Sequence, residues 1–126
     1  MTDEPVLTHL RQALQALALP AESQLRLLPD FAEDVDDLVL NFDHWCRAVS
    51  DGDAAGLTPV QIGALRAIET LLDDMSGQRN ARLWTRTAVR DNALWSRLRA
   101  VAQEALRAFG WELDVPPDAR YQFIAW

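Results

Sequence analysis

The 126-residue chain has no lysine, a single cysteine (Cys46) and five glycines, none adjacent to another. Each scarcity excludes something. One cysteine cannot form an internal disulfide, so nothing argues for an oxidising compartment or a disulfide-stapled scaffold. Glycines at positions 52, 56, 63, 77 and 110 provide no backbone nest for phosphate. Neither a phosphate loop, a dinucleotide-binding glycine pattern, a G-x-S-x-G elbow nor an H-E-x-x-H helix occurs. No apolar run approaches the roughly 20 residues of a membrane span. The opening "MTDEP" is acidic where a secretory leader is basic, and the expected location is therefore cytoplasmic.

Positive charge is also short. Twelve arginines face nineteen acids, for a formal charge of −7. That balance disfavours a general nucleic-acid or anionic-membrane binder, which needs an excess of cations on its contact face. Basic proteins are the partners it leaves. Arginine without lysine, together with nineteen alanines and nineteen leucines, is the bias of a GC-rich bacterial coding sequence. Hydrophobic residues at 49% and charged residues at 25% match a globular chain and not a disordered one. The length suits one domain, residues 1–126, able to bury roughly 65 to 70% of its unfolded surface.

Apolar residues recur at helical spacing almost throughout. Leu7, Leu10, Leu14 and Leu17 predict a helix over about 4–18, closed by Pro20. A short helix fits "ESQLRLL" between Pro20 and Pro29. Leu38, Phe42, Trp45 and Val49, with Val39 and Cys46 beside them, predict a helix over about 34–50, ended by the loop "SDGDAAGL". Thr58, Pro59 and Gln61 form a helix start: a cap, a first-turn proline and a capping-box partner. Leu65, Ile68, Leu72 and Met75 mark the buried side of that helix, which ends near Gly77. "LWTRTAVRDNALW" reads as a short helical turn, after which Asp91 or Asn92 caps a last long helix. That helix buries Trp95, Leu98, Val101 or Ala102, Ala105 and Phe109 before Gly110 stops it. Pro116 and Pro117 forbid helix in the tail, about 111–126, which ends in aromatics. The expected fold class is all-α, a compact bundle of about four long and one or two short helices with an extended aromatic C-terminal tail.

Candidate chemistry is thin. "DGDAAG" opens like a calcium loop with Asp51, Asp53 and Gly56, but positions five, nine and twelve are Ala55, Pro59 and Ile62, which removes the closing glutamate. His44 and Cys46 are two residues apart and point roughly 200° away from each other on a helix, so they do not form a nucleophile and base. Cys46 belongs with the apolar stripe, as a small inert hydrophobe. A metal held by Asp37, His44 and a third group would need ligands that only tertiary structure could supply. No metal, cofactor or catalytic residue is expected, and the chain is read as non-enzymatic.

Charge is polarised along the chain. Residues 30–74 hold eleven acids and two arginines, whereas residues 79–107 hold seven arginines and two acids. Arg82, Arg86 and Arg90 recur at i, i+4 and i+8, and in so acidic a protein they are expected to bridge to the acidic helix or solvate their own face. Within "PDFAEDVDDLVLNFDHW", Asp30 and Glu33 have capping-box spacing and Asp34, Asp36 and Asp37 suit a first turn, where helix-end amides favour carboxylates. Asp43 is placed to pair with Arg47 at i, i+4. Asp36, Asp37, Asp43 and His44 share the polar side, with Asp51 and Asp53 just beyond, and Asp73 and Asp74 are available from another helix. These make a candidate partner-binding ridge. The alternative contact is the tail, through Tyr121, Phe123 and Trp126.

A small, acidic, helical chain without catalytic residues resembles the bacterial immunity proteins, which neutralise a toxin domain by masking it. The resemblance covers size, charge, fold class and lack of chemistry, and it transfers no residue roles. It implies a basic toxin, often a nuclease, whose positive surface is covered by carboxylates imitating a substrate's phosphates. A structural or adaptor domain, self-associating through its aromatic tail, is the competing expectation.

Overall fold

The computed structural model describes residues 4–28, 35, 37–53 and 56–114. All regular structure among them is helical: α1 (Glu4–Ala18), α2 (Ala21–Leu27), α3 (Asp37–Asp53), α4 (Pro59–Met75), α5 (Arg86–Asp91) and α6 (Ala93–Phe109), with a 3-10 segment, Gln78–Leu83, between α4 and α5. Four long and two short α-helices match the sequence expectation. The 3-10 segment was not anticipated. The aromatic tail from residue 115 onward, including Tyr121, Phe123 and Trp126, lies outside the described residues.

α1 packs along both α3 and α6, and α6 packs in turn on α4, while α3 and α4 touch only lightly. The stripes read from the sequence are the ones that meet in the core. Leu10, Leu14 and Leu17 of α1, Leu38, Phe42 and Cys46 of α3, Ile68 and Met75 of α4, and Trp95, Leu98, Ala102 and Ala105 of α6 are all buried. Each large side chain among them contributes on the order of 1.5–3 kcal/mol by leaving water. Leu7, Val39, Trp45, Leu72 and Phe109, expected on buried stripes, are only partly covered, and Leu71 is buried on α4 where Leu72 was expected. Trp95 is fully buried, and its indole N–H donates to the carbonyl of Leu83 at 2.7 Å. Trp84 meets Trp95 edge-on at 5.7 Å and donates to the carbonyl of Met75 at 3.0 Å, closing the end of α4. Buried indoles thus bring their polar atom a partner.

Helix ends follow local chemistry. Thr58 and Gln61 form a reciprocal capping box, with Thr58 Oγ1 accepting from the Gln61 amide at 3.1 Å and Gln61 Oε1 from the Thr58 amide at 2.9 Å. Asn92, the expected alternative to Asp91, caps α6 through its Oδ1 and the Leu94 amide at 2.8 Å. Gly110 stops α6 at φ 72°, and the amides of Gly110 and Trp111 bond back to Arg107 and Leu106, a left-handed closure that glycine adopts without strain. α1 has no such device. Pro20 ends it, no basic residue stands in its last turn, and the carbonyls of Ala16, Leu17 and Ala18 face the interior. Gln24, fully buried on α2, donates its amide to the Ala16 and Leu17 carbonyls at 3.1 and 2.9 Å. Gln103 of α6 donates to the Ala18 carbonyl at 3.1 Å. The Gln24 carbonyl in turn accepts from Arg99 at 3.0 Å, and Arg99 also donates to the Val89 carbonyl at 2.9 Å. Burial pulls the Arg99 guanidinium below the usual arginine range.

Two expectations are corrected. α3 does not end at residue 50 but runs to Asp53. One glycine costs a helix only about 1 kcal/mol relative to alanine, so Gly52 is too weak a stop for a helix docked through Val49. Arg90 does not reach the acidic helix but pairs with Glu22 at 2.8 Å, and Arg86 donates to the Leu25 carbonyl at 3.3 Å. Both partners lie on α2, because α5 packs against α2 whereas α3 packs on α1. The Arg90 guanidinium holds the Glu22 carboxyl below its ordinary range. Arg82 stays exposed. The Asp30 and Glu33 capping box, with Asp34, lies outside the described residues.

Replacing Gln24 with leucine is expected to lower stability by about 2–4 kcal/mol, because two carbonyls and a guanidinium lose buried partners at once. Urea denaturation measures it. A loss under about 1 kcal/mol would mean that water serves those groups equally well.

Candidate functional site

The acidic stretch resolves into an outer face on α3. At roughly 100° per residue, the register that buries Leu38, Phe42 and Cys46 turns residues 37, 40, 43, 44 and 47 outward. Asp37 and Asp43 are half-buried at the edges of this face, and Leu40, His44 and Arg47 are exposed along it. Asp43 pairs with Arg47 at 3.1 Å, as its spacing predicted. Arg47 is well exposed and Asp43 open to solvent on one side, so the pair contributes at most a few tenths of a kcal/mol. Among the described residues Asp37 has no ion-pair partner.

The other expected members fare differently. Asp36 lies outside the described residues. Asp51 and Asp53 lie in the last turn of α3. Their backbone is helix instead of the loop expected there. Asp73 and Asp74 are exposed near the end of α4, and Asp74 lines a 300 Å³ groove with Leu71, Arg97 and Val101, between α4 and α6. They belong to another surface. Tyr121, Phe123 and Trp126, the alternative contact, are not among the described residues.

The two histidines of the chain meet at one tryptophan. The His9 ring of α1 stacks on Trp45 at 4.2 Å and 12°, and His44 meets the same indole edge-on at 4.6 Å and 88°. Trp45 therefore ties the outer face to the α1–α3 seam. In that seam, His9 Nδ1 and Asn41 Oδ1 are buried without a hydrogen-bond partner among the protein atoms. Both are polar enough to hold a bridging water. Among the described residues no three histidine, cysteine, aspartate or glutamate side chains converge as a metal site.

Cys46 sits at the inner edge of the face, beside Glu69 of α4 and Asp43. Burial first, then the negative charge of Glu69 and Asp43, pushes its thiol up to about 12 from an ordinary 9.0. A thiol so placed is not a nucleophile at neutral pH. What the outer face offers is a surface: carboxylates, one arginine, and a leucine in their midst. Leu40, 47% exposed, was absent from the expected site. Its signal was in the sequence, since the register that buries Leu38 turns Leu40 roughly 200° away. The stacking of His9 on Trp45 had no sequence signal.

No family model, curated protein or solved structure matches the chain. No described helix is long and apolar enough to cross a membrane.

A thiol reagent is expected to label Cys46 only after unfolding. The pKa shift also sets a pH dependence. Below pH 9 both states keep the thiol proton; between pH 9 and about 12 only the unfolded chain loses it, so unfolding free energy falls as pH rises through that window. Urea midpoints measured from pH 7 to 10.5 in wild type and Cys46→Ala check this: the alanine variant should lose less stability above pH 9. Parallel curves would contradict the burial.

Proposed function

We propose that this chain is a non-catalytic protein-binding module, a compact single-domain helical bundle acting in the cytoplasm, whose acidic α3 face covers a basic partner in the manner of an immunity protein neutralising a toxin domain. One observation carries the reading: Arg90 and Arg99, from the basic half of the chain, are turned away from α3. Arg90 and Arg99 bind α2 and α5, and on the outer face of α3 Asp37 and Asp43 stand with Arg47. Like charges left together on one helix cost stability. A basic partner recovers that cost, and complementary charge speeds encounter.

The reading of a self-associating adaptor draws on a different end of the molecule. Phe109 and Trp111 stack at 4.3 Å, and Leu113 beyond them is 48% exposed, where the chain leaves toward its tail. Sedimentation separates the two: the masking module is a monomer, and the adaptor is not.

Changing Asp37 and Asp43 together to asparagine is expected to slow association with the partner isolated from the native host by roughly three- to tenfold at low salt. The difference should close as salt shortens the screening length to about 3 Å near 1 M. Stopped-flow association with matched melting curves makes the measurement. Equal rates at low salt would return these carboxylates to an ordinary solvated face.

A further inference from the structure

We draw no further inference here: the strongest candidate, the groove between α4 and α6 in which Asp74 and Arg97 stand beside Leu71 and Val101, carries nothing because nothing among the described residues shows what covers it.

Discussion

A helix that ends in the interior without a cap leaves carbonyl groups that water cannot reach. α1 is such a helix, and Gln24 is the residue that satisfies it. Its amide takes the carbonyls of Ala16 and Leu17, and its own carbonyl holds the Arg99 guanidinium. The placement of α2 follows, because Gln24 must lie under the end of α1. The direction of the arginines follows in turn: with α2 in place, Arg90 finds Glu22 and Arg86 finds the Leu25 carbonyl. One buried amide thus connects α1, α2 and α6, and through Arg99 and the Val89 carbonyl it reaches α5 as well. Such a network is stable only when every member is paired.

The functional reading depends on this geometry. A polarised sequence would ordinarily fold its basic half against its acidic half and neutralise both. Here Arg90 pairs on α2, an element packed against α5 rather than α3, and Asp37 and Asp43 stay on the outer side of α3. The same helix rests mainly on α1, through Phe42 and its neighbours and through the contact of His9 with Trp45. Its inner side is therefore well anchored while its outer side is available. Binding at a preorganised face loses little conformational freedom, which favours tight association from a small contact.

Much of the fold was legible because the signals were local. The leucine stripe and Pro20 delimited α1, the Thr58, Pro59 and Gln61 start marked α4, and Asn92 with Gly110 bounded α6. Three features were not legible, each for a physical reason. The end of α3 depended on how firmly Val49 docks, which decides whether Gly52 breaks the helix. The partners of Arg86 and Arg90 depended on which helices are neighbours in space, and i, i+4 spacing is silent about that. Gln24 looks in sequence like any surface glutamine of a polar helix; only the buried carbonyls above it explain its burial. Of the candidate site, Asp37, Asp43 and His44 were read from helical register and do share a face. Asp53 was assigned to the site on the premise of a loop that is helix. Leu40 was overlooked because three apolar residues in a row, Leu38 to Leu40, read as core until the register is drawn.

Carboxylate footprinting tests the central claim most directly, the claim that the outer face of α3 is kept for a basic partner. The chain is labelled with a carbodiimide and an amine, alone and bound to the partner recovered from its native host, and modification is read residue by residue. Protection should be strong at Asp37 and Asp43 and absent at Asp73, Asp74 and Glu104, which are exposed on other helices. Full labelling of Asp37 and Asp43 in the complex, with protection elsewhere, would contradict the account.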